Sequence, residues 1–157
     1  MGVLRDRMEA DLELQNLRPA TQAAYLRNVY VFTRHYMRSP EEMGEEEVRN
    51  YLLHLYRVRG LKPSSVKVHT AALKFLYKET LRRPEVVQSI RMPRVPRQIP
   101  EILSGSEVET FLGSLESLKY RAIVMTMYGA GIRVSEACKL QIEDIDSKRM
   151  VLWIRDG

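Results

Sequence analysis

The chain has 157 residues, 45% hydrophobic and 29% charged, with 25 Lys/Arg against 20 Asp/Glu, enough for one ordinary globular domain or two small ones. No stretch reaches the ~18 consecutive apolar residues of a membrane span, and MGVLRDRMEADLEL has neither a signal-peptide core nor a myristoylation pattern. A single cysteine, Cys138, excludes an internal disulfide framework and a cysteine-based zinc site and fits a reducing cytoplasm; its apolar neighbours predict a buried packing residue.

Four helices are predicted over residues 1–82. The first runs through VLRDRMEADLELQ, and the second opens at Pro19, a favoured first helical position, and continues to about Met37. Tyr25, Val29, Phe32 and Tyr36 recur at the i, i+4, i+7, i+11 spacing of one helix face and form its core stripe. The third helix lies in SPEEMGEEEVRNYLLHLYRVRG, with glutamates suited to the positive end of the dipole, Val48, Leu52 and Leu55 facing inward, and Gly60 closing it. The fourth opens near Pro63 and Ser64, turns Leu73, Leu76 and Tyr77 inward, and ends near Leu81.

The outward faces carry a second pattern. On the second helix Arg27, Arg34 and Arg38 stand at i, i+7, i+11, and on the fourth Lys67, Lys74 and Lys78 repeat that spacing around the small Ala71. Between Arg57 and Arg97 there are eleven Lys/Arg against only Glu79 and Glu85. Two matched basic stripes favour a polyanionic partner, because Lys and Arg displace counterions from phosphates. A merely solvated basic surface stays open at this point. The three histidines, His35, His54 and His69, fall on separate helices and read as surface or interface residues, with no metal site expected.

Residues 83–100, RPEVVQSIRMPRVPRQIP, contain Pro84, Pro93, Pro96 and Pro100, a density that predicts an extended, semi-rigid linker and a domain boundary. Its arginines, Arg91, Arg94 and Arg97 among them, could lie along a phosphate backbone. Residues 101–157 start afresh with Ser104 and Glu107, a capping box that opens a helix. SLKYRAIVMTMYGAG predicts a buried apolar helix with Met125, Met127 and Tyr128 as core filler, followed by a short helix through VSEACKL. Asp144, Asp146 and Ser147 are turn formers, Met150 to Ile154 an apolar strand, and Asp156-Gly157 a hairpin turn. A hairpin needs a returning strand, so the expectation is a truncated chain. Just past Gly129 and Gly131, Arg133 and Glu136 are either a surface pair closing a helix or an arginine held for a phosphate.

The run TMYGAGIRVSEACKLQIEDID resembles the tyrosine recombinase family, the phage-integrase and Xer-like enzymes, at Gly131, Ile132, Arg133, Glu136, Leu140, Asp144, Ile145 and Asp146. SGSEVETFL is similar to the opening of that family's catalytic domain, and RPATQAAYLRNVYVFTRHY and KPSSVKVHTAALKFLY to the second and fourth helices of its core-binding domain. The resemblance implies a mainly α fold: a four-helix SAM-like core-binding domain, then a partial, mostly helical catalytic-domain fragment ending in one β-strand.

In such enzymes a tyrosine attacks a DNA phosphodiester to form a 3'-phosphotyrosyl link, which a free 5'-hydroxyl then displaces, without metal or other cofactor. By resemblance Arg133 matches the first of two catalytic arginines, whose planar donors suit the phosphate charge, and Glu136 an acidic residue that supports it. The family's catalytic lysine, its His-x-x-Arg pair and its tyrosine nucleophile find no match before Gly157, so the expectation is a fragment that binds DNA and is inactive alone. The expected partners are double-stranded DNA and other recombinase protomers on it, with no membrane and no small-molecule ligand. Two alternatives are a non-catalytic helical DNA-binding regulator, indifferent to Arg133→Ala, and a protein-interaction scaffold whose basic faces meet acidic partners.

Overall fold

The computed structural model describes residues 2–96 and 100–155. Two compact units divide the chain, Met1–Gln98 and Ile99–Gly157. The first contains helices α1 (Gly2–Leu14), α2 (Pro19–Tyr36), α3 (Glu45–Arg57), α4 (Pro63–Phe75) and α5 (Glu85–Gln88). A 3-10 turn at Pro40–Glu42 precedes α3, and α4 continues into a π turn at Leu76–Thr80.

Local chemistry sets the ends of these helices. Pro19 and Pro63 each stand in the first turn of a helix, where a missing N–H costs nothing. Glu47 reaches back to the Gly44 amide at 2.9 Å and satisfies one of the free donors at the start of α3. That bond is the leading cause that holds the Glu47 carboxyl below the usual range. The α2 helix stops when Met37 adopts a left-handed backbone, φ 52°. Beyond α3, Gly60 turns the chain at φ 59°, in the region that favours glycine.

The core matches the periodic stripes. Val29 and Phe32 of α2, Val48 and Leu55 of α3, Leu73 of α4, and Leu76 and Tyr77 of the π turn are buried, while Tyr25, Tyr36 and Leu52 pack against them half-buried. Helix α4 is central: it packs on both α2 and α3. Two buried tyrosines add directional ties. Tyr77 donates to the Pro40 carbonyl at 3.0 Å, and Tyr51 meets His69 Nδ1 at 3.3 Å.

Residues 83–90 differ from the extended linker expected there. They form α5, and Val86, Val87 and Ile90 are buried in the core. Pro84 lies at the cap position ahead of this one-turn helix, where a proline is tolerated, so the prolines bracket a helix rather than exclude one. Arg83 donates to the Glu41 and Met43 carbonyls at 2.7 and 3.1 Å, and Ser89 bonds the Glu45 carboxylate, tying the segment to the start of α3.

The second unit holds α6 (Gly105–Ser114), α7 (Leu118–Ala130), α8 (Val134–Ala137), a 3-10 turn at Ile142–Asp144, and strands β1 (Ile145–Asp146) and β2 (Val151–Leu152). The Ser104–Glu107 capping box is formed, with the Ser104 amide donating to Glu107 at 2.8 Å. The expected strand is present as β2 and pairs antiparallel with β1, Ile145 opposite Leu152 and Asp146 opposite Val151. Asp146 Oδ1 accepts from the Lys148 and Arg149 amides and shapes the turn between them. The expected Asp156-Gly157 turn lies outside the described residues.

Helix α7 corrects another expectation: none of its residues is buried, and Met125 and Tyr128 are exposed. Its apolar side chains spread around the helix, while α6 and α8 are the elements of this unit that pack on it, so most of the circumference has no cover. Cys138, expected buried, is exposed at the end of the one-turn α8, too short a helix to hide it.

Candidate nucleic-acid interface and arginine site

Arg133 sits where α7 turns into α8. Gly131 ends α7 in the left-handed region at φ 66°, and Arg133 is extended at the cap of α8, φ −76° and ψ 156°. Gly129 is an ordinary helical residue of α7, so the bend belongs to Gly131 alone. Glu136, three residues on, accepts from the Arg133 amide at 2.7 Å with one carboxylate oxygen and from the Arg133 Nη1 at 2.8 Å with the other.

The two bonds make Glu136 both a helix cap and a brace. They hold its carboxyl below the usual carboxylate range, the backbone bond first and the guanidinium bond second. The Glu136 side chain is 12% exposed and the Arg133 side chain 79% exposed. The guanidinium is thus gripped by Nη1 and open elsewhere, which leaves planar donors for an oxyanion. Arg133 and Glu136, singled out separately in the sequence, are joined.

Nearby, Asp144 is buried. It accepts from the Gln141 amide at 2.9 Å, lies 2.7 Å from Arg155 Nε, and receives the Trp153 amide on its carbonyl. These contacts fasten β2 to the segment after α8.

The basic stripes belong to the first unit. Arg27 and Arg34 are exposed on α2, and Lys67 is exposed on α4. Lys74 is half-buried and Lys78, four residues on, is exposed; desolvation first and then the charge of Lys78 lower the Lys74 pKa. Arg38 departs from the pattern. The left-handed turn at Met37 takes it off the helix, and its guanidinium donates to the Glu42 carbonyl at 3.1 Å and pairs with Glu42 and Glu47 at 3.9 and 3.7 Å. Its charge is largely matched within the bundle.

Arg91 and Arg94 are exposed, and Arg91 shares with Arg49, Tyr56 and Ile90 the lining of a cleft of about 300 Å³ beside α3. Arg97 lies outside the described residues.

A histidine-tyrosine cluster links the helices. His35 of α2 and His54 of α3 have ring centroids 4.4 Å apart, and His35 lies 5.4 Å from Tyr51, which bonds His69 of α4. Among the described residues no three His, Cys, Asp or Glu converge as a metal site. Burial and then the Arg59 and Arg27 charges lower the His69 pKa from 6.5; burial and then His54 lower that of His35. Burial pushes the Tyr51 hydroxyl up to about 12. Lowered histidine pKa values mean the unfolded chain binds protons first on acidification. Stability is therefore full above 6.5 and falls as pH drops below it. Denaturant midpoints from pH 8 to 5 should decline, and His69→Gln should flatten the decline; an unchanged profile in the variant would contradict the assignment to His69.

Two family models match. Phage integrase, N-terminal SAM-like domain, matches residues 4–85, and Phage integrase family matches residues 96–157. Integrase/recombinase y4qK of Sinorhizobium fredii is 41% identical over 158 residues, covering 100% of this chain and 51% of that protein. Tyrosine recombinase XerA of Thermococcus kodakarensis is 29% identical over 155 residues, covering 97% of this chain and 52% of that protein. A crystal structure of XerA recombinase superposes with TM-score 0.52 at 21% identity, over 99% of this chain and 55% of the other, a likeness of fold. The chain spans about half the length of the curated relatives it matches.

Proposed function

This chain belongs to the phage integrase family, and on that premise we propose that its 157 residues are the DNA-engaging part of a site-specific tyrosine recombinase and bind duplex DNA without cleaving it. The observation that carries the reading is charge placement. From Val48 to Lys78 there is no acidic residue, and Lys67, Lys74 and Lys78 lie on α4 and its π-turn extension while Arg27 and Arg34 are exposed on the adjoining α2. Such a surface meets phosphates and releases their counterions. Arg91 and Arg94 extend the basic character past α5; Arg38 is a weaker member because it is already paired, and Arg97 lies outside the described residues.

In the whole recombinase Arg133 supplies positive, planar donors to the phosphate as negative charge builds on its oxygens, and Glu136 fixes the guanidinium so that it need not reorganise. The protein carries no metal-dependent step in this reading, because the phosphotyrosyl link conserves the bond energy. Double-stranded DNA and further protomers assembled on it are the partners, and the cytoplasm is the compartment. No helix among the described residues is long and apolar enough to cross a membrane.

No residue of this stretch takes the nucleophile's part in this reading: Tyr51 and Tyr77 are buried and hydrogen-bonded in the helical core, and Tyr128, exposed on α7, precedes Arg133 where the family's nucleophile comes after it. Incubation with a nicked duplex that traps covalent intermediates, followed by denaturing electrophoresis, should show no protein–DNA adduct while a native gel shows a shifted complex. A covalent adduct, or no complex at low salt, would overturn the proposal.

A further inference from the structure

We propose that the α3–α4 turn, through Arg57, Arg59 and Lys62, is an additional phosphate-binding element that extends the duplex-binding surface of α2 and α4. It rests on the duplex-binding reading above and adds a site to it. All three side chains are exposed, and among the described residues none lies within ion-pair distance of a carboxylate.

Sequence explains the lack of partners. Helix α3 is divided by charge, with Glu45, Glu46 and Glu47 in its first turn and no acidic residue from Val48 to Lys78. Arg57, Arg59 and Lys62 therefore stand at the end remote from those glutamates. A cationic cluster that repels itself and has no internal counter-charge is a standing site for polyanion contact.

The turn is also held in one conformation. The amides of Val58 and Arg59 both return to the His54 carbonyl, at 2.9 and 3.1 Å, and the Leu61 amide bonds the Leu55 carbonyl at 3.0 Å. On the far side, the amides of Ser65 and Val66 return to the Lys62 carbonyl at 2.9 and 3.1 Å. Gly60, at φ 59°, permits the reversal between them. Fixing the backbone beforehand lowers the ordering cost of binding, which separates this turn from a floppy basic loop.

The turn adjoins the stripe on α4. Helix α4 begins at Pro63, directly after Lys62, and packs on both α2 and α3; burial first and then the charges of Arg59 and Arg27 lower the pKa of His69 on that helix. His69 in turn meets Tyr51 of α3, which anchors α4 to the core. The spacing of phosphates along a duplex favours such a multi-element contact over a single small anion. The ligand class is thus a nucleic-acid backbone, read without base specificity.

The test compares three forms of the 157-residue chain by fluorescence anisotropy with one labelled duplex between 50 and 200 mM NaCl. These are the unaltered chain, Arg57→Ala/Arg59→Ala/Lys62→Ala, and Arg5→Ala/Arg7→Ala/Arg18→Ala as an equal loss of charge elsewhere. Each phosphate contact contributes about 0.9 to the slope of log affinity against log salt, so the turn variant should lose about 2 to 3 slope units and the control should keep its slope. An unaltered chain without salt-dependent binding means the underlying duplex-binding reading has failed. Binding by the unaltered chain with an unchanged slope in the turn variant overturns this inference alone, and so does an equal loss in the control. Melting curves establish that the variants are folded, and Arg57→Lys/Arg59→Lys restores the slope if charge at the turn is what counts; failure of that rescue in a folded protein also overturns it.

Discussion

Replacing Arg27, Arg34, Lys67, Lys74 and Lys78 together with alanine is expected to lower the salt slope of duplex binding by about 4 to 5 units, at about 0.9 per phosphate contact. Each side chain is exposed or half-buried, and no ion pair within 4 Å is found for any of the five among the described residues, so the fold should tolerate the change. Over 50 to 200 mM salt the unaltered chain should lose affinity steeply and the variant less so, keeping the part of the slope that Arg57, Arg59 and Lys62 supply. Adding Arg38→Ala should change little more, because Arg38 is already paired with Glu42 and Glu47. Equal slopes in the unaltered and five-alanine chains would remove these helices from the interface.

Phe32→Ala is expected to destabilise the first unit by about 3 to 5 kcal/mol, as large-to-small changes at well-packed aromatic sites do. Phe32 is fully buried and meets Tyr51 and Tyr36 edge-on, with centroids 5.1 and 5.6 Å away. Truncation opens a cavity between α2 and α3 and removes both aromatic contacts, each worth roughly 1 kcal/mol beyond its area. A domain of this size has about 5 to 15 kcal/mol in total, so the melting temperature should drop by about 15 °C or more. Duplex binding should be lost at the correspondingly lower temperature at which the first unit now unfolds. A shift below about 5 °C would mean that Phe32 is not the packing centre.

The parts legible in the sequence are those governed by local periodicity. Val29, Phe32, Val48, Leu55, Leu73 and Tyr77 repeat with the helix and are buried, and the Ser104–Glu107 box is local by nature. Arg133 with Glu136 was equally legible, since three residues of separation on a helical turn bring them together. Tyr51 is harder to read. It is fully buried, yet its hydroxyl finds its partner 18 residues away, on another helix.

The histidine cluster has the same origin. Periodicity assigns His35, His54 and His69 to faces, but only packing decides which faces meet. Arg38 illustrates a different limit, because one left-handed residue, Met37, breaks a stripe whose spacing was intact in the sequence. For α7, apolar composition signalled burial, but burial also requires neighbours, which Met125 and Tyr128 lack here. The segment around α5 shows proline read too broadly, since Pro84 precedes a helix turn it does not interrupt.

The most direct test of the account is the affinity of the 157-residue chain for a duplex of about 30 base pairs, measured at several salt concentrations. The account predicts binding at 50 mM salt with log affinity falling linearly in log salt, at a slope of roughly −4 or steeper. No binding at 50 mM, or an affinity that does not change with salt, would contradict it.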